Sequence, residues 1–209
     1  MPHVILVTGG SRSGKTDYAQ KLAESLTGSR TYIATCPVID AEMADRVKKH
    51  QAARSRAAWD TIEETVDLAG AIRNTGESDI FLVDCLTLWI NNIMYEAERE
   101  GRNITEENIT GLCSDILGSC RKCSGTVIFV TNEVGMGIIP DNYLSRRFRD
   151  LAGRCNQVIA SEADEVWFMI SGIPMKIKSS GEKNESFERN TEQNQTAGPG
   201  SPGKSTDPS

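Results

Sequence analysis

Residues 4–16 read Val-Ile-Leu-Val-Thr-Gly-Gly-Ser-Arg-Ser-Gly-Lys-Thr. The part from Gly9 to Thr16 fits G-x-x-x-x-G-K-[ST], the phosphate-binding pattern known as the P-loop. The apolar run before it predicts a buried strand, and apolar residues at helical spacing after it predict a helix. In this setting the backbone N–H groups of the loop and the start of the helix attract a phosphate. The stretch therefore predicts a nucleotide-binding loop between a strand and a helix.

Two side chains of this loop have predicted roles in phosphate chemistry. Lys15 is expected to reach the β- and γ-phosphates, and the hydroxyl of Thr16 is expected to hold Mg²⁺. The alternative is a Gly-rich turn that fits the pattern by chance, and the flanking strand and helix disfavour it. The nucleotide-binding candidates of the loop are Gly9, Gly10, Ser11, Arg12, Ser13, Gly14, Lys15 and Thr16.

The composition excludes several classes of partner. The chain of 209 residues has a net charge of -6, with acidic and basic residues intermixed, so it lacks the basic surface that nucleic-acid binding requires. No apolar run approaches the roughly 18 residues of a membrane span. The chain begins without the charged and apolar regions of a signal peptide. We therefore expect a cytoplasmic protein that contacts neither nucleic acid nor membrane.

Strand and helix patterns alternate along the sequence. Short apolar runs predict strands at 4–7, 31–34, 78–84, 125–131, 165–170 and 175–178. Helical spacing predicts helices at 18–26, 40–54, 86–97, 144–158 and from 105 onward, with a weaker helical stretch at 59–72. Strands that are apolar on both sides need cover on both faces. The pattern therefore predicts an α/β fold with a mostly parallel central sheet covered by helices on both faces.

The composition changes near residue 178. Residues 1–178 are predicted to form one nucleotide-binding catalytic domain. Residues 179–209 are polar and low in complexity, with Phe187 as the only large apolar residue. Such a segment buries too little apolar surface to offset its chain entropy, so a disordered tail is predicted.

The six cysteines are expected to be reduced in the cytoplasm. Cys120 and Cys123 form a single C-x-x-C, and neither a second pair nor a nearby histidine completes a zinc site. Cys113 and Cys120 share a predicted helix face with Ile116 and Leu117. This spacing favours small core residues over a metal or redox site.

Asp84 ends one of the long apolar strands. In P-loop proteins a carboxylate at this position binds Mg²⁺, often through water, whereas the alternative is an Asp that caps the next helix. Ligands of parallel sheets bind beyond the carboxyl ends of the strands. The P-loop, Thr35, Asp84 and the Gly-rich loop after Thr131 all fall there. Thr16 and Asp84 are therefore the candidate metal residues.

His50 is one of two histidines, and it follows the cationic side chains of Arg46, Lys48 and Lys49. A neutral imidazole is available near pH 7, and histidine can form a covalent intermediate that divides one transfer into two. The neighbouring cations could attract the phosphates of a nucleotide. From the residues alone an ordinary surface or half-buried histidine remains an open alternative.

Longer stretches are more specific than the P-loop. In these stretches the chain resembles the bifunctional adenosylcobinamide kinase / adenosylcobinamide-phosphate guanylyltransferase family of cobalamin biosynthesis. They run in family order at 5–16, 32–35, 42–50, 59–63, 82–89, 130–140, 148–157 and 163–167, and the Thr-Asn-Glu-Val-Gly run at 131–135 is far more specific than the P-loop.

The resemblance implies a two-step enzyme with a P-loop NTPase fold of the RecA-like kind. A nucleoside triphosphate, ATP or GTP, first phosphorylates adenosylcobinamide. GTP with Mg²⁺ then gives its GMP to that phosphate through a guanylyl-histidine, releasing pyrophosphate and leaving adenosylcobinamide-GDP. His50 stands at the position of the family's histidine. The resemblance also implies a homotrimer in which residues of one subunit lie near the site of the next.

The same resemblance adds nucleotide contacts outside the P-loop. These candidates are Ala34, Thr35, Cys36, Gln51, Ala52, Ala53, Arg54, Glu63 and Asp84. One departure is local: this chain has Arg54-Ser-Arg56-Ala where many members carry Arg-Pro after the histidine-bearing helix. The residues beyond 178 have no recognised family counterpart.

Other functions would use the P-loop differently. A monofunctional kinase for another small hydroxyl substrate would not need His50. A GTP-binding regulatory module would read guanine with Asn-Lys-x-Asp, which the sequence lacks. A nucleic-acid motor is disfavoured by the acidic charge.

Overall fold

The computed structural model describes residues 2–37, 58–75 and 78–179. The strands within these ranges are β1 His3–Gly9, β2 Arg30–Ala34, β3 Trp59–Glu63, β4 Ile80–Asp84, β5 Thr126–Val130, β6 Glu165–Ile170 and β7 Ile173–Lys178. The helices are α1 Lys15–Ser25, α2 Leu68–Asn74, α3 Leu86–Arg99, α4 Glu106–Cys120 and α5 Tyr143–Glu162.

The strands form one sheet in the order β3-β2-β4-β5-β1-β6-β7. All neighbouring pairs are parallel except β6 and β7, which form an antiparallel hairpin. Strand β1 lies between β5 and β6, with Leu6 opposite Phe129 and Val166. The carboxyl ends of β1, β4 and β5 therefore meet at one edge of the sheet, and the sheet is mostly parallel as predicted.

Two hydrophobic cores lie on opposite faces of the sheet. Because successive side chains of a strand point to opposite faces, one apolar run serves both cores. Leu6 and Phe81 belong to the core covered by α2, α3, α4 and α5. Ile5 and Leu82 belong to the core covered by α1 through Ala19 and other residues. The expected cover by helices on both faces is confirmed.

The predicted helical stretch at 59–72 is wrong in its first half. Trp59–Glu63 is a strand that pairs with β2 at the edge of the sheet, and the helix begins only at Leu68. Trp, Thr and Ile favour a half-buried pleated surface, which an edge strand offers. The side chain of Asp67 accepts a hydrogen bond from the backbone N–H of Gly70 at 2.8 Å, and this cap fixes the start of α2.

The other predicted elements agree with the structure apart from their bounds. The last strand begins at Ile173, two residues earlier than predicted, after a turn in which Gly172 has a φ of 85°. Cys113 and Cys120 lie on the buried face of α4, as their spacing indicated. The predicted helix at 40–54 falls in the range 38–57, and nearly all of the predicted tail falls in 180–209, both outside the described residues.

Candidate active site

The P-loop owes its path to two glycines. A Cβ on Gly9 would lie 2.5 Å from the backbone oxygen of Met169 in β6, so β1 and β6 leave no room there for a side chain. Gly14 has a φ of 87°, in the left-handed region that favours glycine, at the N-cap of α1. The loop thus turns sharply into the first turn of α1, where free backbone N–H groups collect.

The side chain of Lys15 lies in the loop and is only 7% exposed. Its Nζ donates a hydrogen bond to the backbone oxygen of Gly10 at 2.6 Å and lies 3.5 Å from Oγ of Ser13. Burial lowers the pKa of Lys15 from its ordinary value, and the nearby Asp84 carboxylate offsets this only in part. The buried ammonium group of Lys15 therefore has less negative charge around it than a bound triphosphate would supply.

Thr16 and Asp84 come together where α1 begins and β4 ends. Oγ1 of Thr16 donates to Oδ2 of Asp84 at 3.1 Å, and the phenol of Tyr32 donates to the same oxygen at 2.7 Å. A hydroxyl and a carboxylate beside a phosphate-binding loop are oxygen ligands of the kind that Mg²⁺ prefers. The two candidate metal residues are thus adjacent, and Tyr32 helps to orient the carboxylate.

A cavity of about 390 Å³ opens beside these groups. Its lining residues come from the P-loop and from the carboxyl ends of β4 and β5: Arg12, Ser13, Gly14, Lys15, Thr16, Asp17, Asp84, Cys85, Val130 and Asn132. Burial raises the pKa of the Cys85 thiol to about 12, so this group is neutral at physiological pH. The cavity combines two cations, Arg12 and Lys15, with carboxylates and hydroxyls, as a site for a metal-bound phosphate requires.

The remaining described candidates lie at the carboxyl ends of β2 and β3, the strands that follow β4 toward the edge of the sheet. Ala34 pairs in register with both Glu63 and Asp84, so the three residues form a row across β3, β2 and β4. The hydroxyl of Thr35 donates to the backbone oxygen of Cys85 and accepts from its N–H. Among the described residues, Ala34, Thr35, Cys36 and Glu63 are not part of the cavity lining. His50, Gln51, Ala52, Ala53 and Arg54 lie outside the described residues.

A buried polar network behind the cavity was not predicted. Oδ1 of Asn156 in α5 accepts from the hydroxyl of Thr131 at 2.8 Å, and its amide nitrogen donates to the backbone oxygen of Asn132 at 3.1 Å. The hydroxyl of Thr87 in α3 accepts from the N–H of Asn132 at 2.6 Å. These bonds fix the loop after β5. The available signal was an asparagine on the apolar face of a predicted helix.

Within 2–37, 58–75 and 78–179, no three His, Cys, Asp or Glu side chains cluster in a way that could hold a metal ion by themselves. A magnesium ion bound by Thr16 and Asp84 would therefore depend on nucleotide oxygens or water for its other ligands. No helix in the same ranges is long and apolar enough to span a membrane.

The chain is similar to known proteins over nearly its whole described length. The family model for cobinamide kinase / cobinamide phosphate guanyltransferase matches residues 5–177. The bifunctional adenosylcobalamin biosynthesis protein CobU of Salmonella typhimurium is 40% identical over 185 residues, 84% of this chain and 99% of that protein. CobU of Escherichia coli is 37% identical over 84% of this chain and 99% of its own length. CobP of Pseudomonas aeruginosa is 37% identical over 83% and 96%.

A solved structure shows a similar fold at low sequence identity. It was reported as a structural and biochemical analysis of a prototypical ATPase from the type III secretion system of pathogenic bacteria. The TM-score is 0.51 at 11% identity, with 83% of this chain and 56% of that chain covered. The chain thus spans little more than half of that ATPase. This likeness agrees with the predicted P-loop NTPase fold and carries no further inference. The family match and the three relatives show that the chain belongs to the cobinamide kinase / cobinamide phosphate guanyltransferase family.

Proposed function

We propose that this chain catalyses two successive steps of cobalamin biosynthesis. It phosphorylates the hydroxyl of the aminopropanol arm of adenosylcobinamide, using ATP or GTP. It then transfers GMP from GTP to that phosphate, giving adenosylcobinamide-GDP and pyrophosphate. The observation that carries this proposal is the family match over residues 5–177, which includes both the P-loop and the stretch with His50.

The nucleoside triphosphate is assigned to the 390 Å³ cavity beside the P-loop. Lys15 and the loop N–H groups stabilise the negative charge that develops on the leaving phosphate or pyrophosphate. Thr16 and Asp84 are suited to hold Mg²⁺ because their oxygens already lie 3.1 Å apart. When bound, the ion would neutralise charge on the phosphate oxygens. Tyr32 keeps the Asp84 carboxylate turned toward Thr16.

His50 is assigned the role of nucleophile in guanylyl transfer. An imidazole nitrogen attacks the α-phosphorus of GTP, a P–N bond forms, and the bond to pyrophosphate breaks. A phosphate oxygen of the acceptor then attacks the same phosphorus, and the P–N bond breaks to restore the imidazole. Splitting one transfer into two steps in this way is the usual advantage of covalent catalysis.

The chain is proposed to act as a homotrimer, as the resemblance implies. An exposed apolar surface supports association. It is formed by the loop after β5 and by the β6–β7 hairpin, and Ile138 is 96% and Ile173 65% exposed. Its residues are Ile138, Ile139, Ile170, Ile173 and Met175. Exposed apolar residues in this number are typical of an interface between subunits.

Residues 1–178 are proposed to form the catalytic domain, with 179–209 as an extension that takes no part in the chemistry. The cytoplasm is the proposed compartment, because it supplies the nucleoside triphosphates that both reactions consume.

The test is product analysis with the purified chain. Adenosylcobinamide, GTP and Mg²⁺ are incubated with the protein, and corrinoid products are separated by chromatography. We expect adenosylcobinamide phosphate first and adenosylcobinamide-GDP afterwards, with release of pyrophosphate. Lys15→Ala is expected to lose both products. If adenosylcobinamide phosphate accumulates and no adenosylcobinamide-GDP forms, the chain is only a kinase. The absence of any corrinoid product would overturn the proposal.

A further inference from the structure

A second, larger cavity of about 710 Å³ opens on the other face of the sheet. One wall is the side of α5 that carries Arg149, Arg154 and Gln157, and another is formed by Phe168 of β6 and Ile177 of β7. Its volume lies in the range of small-molecule sites, which extends from about 300 to about 1,000 Å³. Neither the P-loop nor a candidate metal residue lines it, so it is distinct from the nucleotide cavity.

The floor of the larger cavity contains an unsatisfied polar group. Thr8, at the end of β1, lines the cavity and is only 8% exposed. Its hydroxyl has no hydrogen-bond partner, and it is the single buried side-chain polar atom of this kind in the described part of the chain. Leaving a buried hydroxyl unpaired is unfavourable, because it has lost its hydrogen bonds to water. The position therefore favours a polar group that enters the cavity and pairs with Thr8.

The two cavities meet at the same sheet edge. After β5, Asn132 lines the nucleotide cavity and Glu133 lines the larger one. At the end of β1, Thr8 lines the larger cavity, whereas the P-loop that follows lines the other from Arg12 onward. The N–H of Glu133 donates to the backbone oxygen of Gly9 at 2.9 Å, so the two dividing segments are joined. A group-transfer enzyme needs donor and acceptor sites that adjoin, so that the acceptor oxygen can reach the phosphorus of the bound nucleotide.

We propose that the larger cavity is the acceptor site and that it binds the amide-bearing edge of the corrinoid. This inference rests on the proposed function. Thr8, Glu133 and Gln157 offer both donors and acceptors, which suits primary amide groups that need both. Phe168 and Ile177 offer an apolar wall for the ring system.

A second nucleotide fits this cavity less well than a corrinoid amide edge. A triphosphate needs concentrated positive charge, but the two arginines of the lining are outnumbered by the carboxylates of Glu106, Glu133 and Asp150. Arg149 pairs with Asp150 at 3.3 Å, and Nε of Arg154 donates to the hydroxyl of Thr110 at 2.9 Å. The larger volume also agrees with an acceptor that is bulkier than a nucleotide.

The test uses Gln157→Leu and Thr8→Val, which remove hydrogen-bonding groups from the lining with little change of volume. Gln20→Leu is the matched control, because Gln20 lies on α1 at the opposite face of the sheet. Three quantities are measured with the full chain: the KM for adenosylcobinamide, equilibrium binding of cobinamide followed by its visible absorbance, and GMP attachment to the enzyme from GTP without acceptor.

We expect Gln157→Leu and Thr8→Val each to raise the KM and the dissociation constant for cobinamide about five- to tenfold, the value of one hydrogen bond. GMP attachment should stay at the wild-type level, and Gln20→Leu should leave all three quantities unchanged. Unchanged cobinamide binding in both variants would overturn the assignment of the cavity while leaving the function intact. If the wild-type chain binds cobinamide but forms no product, the proposed function is wrong. If the wild-type chain does not bind cobinamide at all, the assignment of the acceptor site is wrong as well.

Discussion

The hydroxyl of Thr16, in the first turn of α1, donates a hydrogen bond to Oδ2 of Asp84 at 3.1 Å, where β4 ends. The two residues are 68 positions apart in the sequence and meet because β1 and β4 end at the same sheet edge. Tyr32 donates to the same carboxylate oxygen from β2. The pair therefore has a fixed geometry, with a phosphate-binding loop directly beside it.

Asp84→Asn should abolish most of the catalysis without unfolding the protein. The amide keeps the shape and can still accept a bond from Thr16, but it lacks the charge that balances Mg²⁺. Metal-dependent charge stabilisation is worth several kcal/mol, so we expect a fall of about a hundredfold or more in kcat for both reactions. The measurement is the rate of each reaction as a function of Mg²⁺ concentration.

Tyr32→Phe is the control for that change. It removes one of the two hydrogen bonds to the carboxylate and leaves the charge in place, so the loss should be tenfold or less, at about 1 kcal/mol for one bond. Equal losses in the two variants would show that orientation matters more than charge. A magnesium dependence unaltered in Asp84→Asn would exclude this residue from metal binding.

Lys15→Met should abolish nucleotide binding without lowering the free energy of unfolding. The folded protein without nucleotide holds this ammonium group in a buried position, and burial lowers its pKa. Replacing it by an apolar side chain of similar length removes that cost, so the free energy of unfolding at pH 7 should be unchanged or higher. Urea unfolding of both proteins without nucleotide measures it. A clear loss of stability would show that the bonds of Nζ to Gly10 and Ser13 outweigh the burial.

The same side chain predicts a pH dependence. Because its pKa is lower in the folded protein than the ordinary 10.5, the unfolded chain binds the proton more tightly over the interval between the two values. The contribution of Lys15 to the free energy of unfolding therefore rises with pH in that interval. The difference between Lys15→Met and wild type should shrink as the pH approaches 10.5. A difference in the free energy of unfolding that grows with pH would contradict a lowered pKa of Lys15 in the folded protein.

Asn156→Leu should destabilise the loop after β5. It removes both the acceptor of the Thr131 hydroxyl and the donor to Asn132, which are buried behind the site. Unpaired buried groups predict a loss of about 1–3 kcal/mol in the free energy of unfolding. Asn91→Leu, at an exposed position of α3, should change it by about 0.5 kcal/mol or less. Similar losses at the two positions would mean that the buried network adds no stability.

Ile173→Glu and Ile138→Glu should each break the proposed trimer. Each places a charge in the exposed apolar surface, where association would have to bury it without a partner. Light scattering during size-exclusion chromatography should give the trimer mass for wild type and the monomer mass for both variants. Tyr95→Glu, at a residue 60% exposed on α3, is the control and should remain trimeric. A monomeric wild type would reject the trimer itself.

The fold was largely predictable because its strands are buried on both sides. Runs such as Val4–Val7 are apolar throughout, and the P-loop fixes the order of strand, loop and helix around Lys15. The edge strand at Trp59–Glu63 was missed because none of its residues is fully buried, which leaves a weak pattern over five residues. A short stretch of sequence reveals only its own hydrophobic periodicity. The conformation of an edge strand depends instead on its pairing with the neighbouring strand.

The site was predictable only in part, for a different reason. Lys15, Thr16 and Asp84 follow from a motif and from the rule that ligands bind beyond the carboxyl ends of parallel strands. The contribution of Tyr32 depends on the position of β2 beside β4, and that of Asn156 on the rotation of α5 about its axis. Neither strand order nor helix rotation can be read from a short stretch of sequence.

The central claim is that His50 carries GMP between GTP and the acceptor. The most direct measurement is the mass of the intact chain after incubation with GTP and Mg²⁺ in the absence of any corrinoid, followed by peptide mapping. The account predicts a gain of one GMP, bonded to His50, released when the corrinoid phosphate is added and absent in His50→Ala. No gain of mass, a GMP mapped to another residue, or full guanylyl transfer by His50→Ala would contradict it.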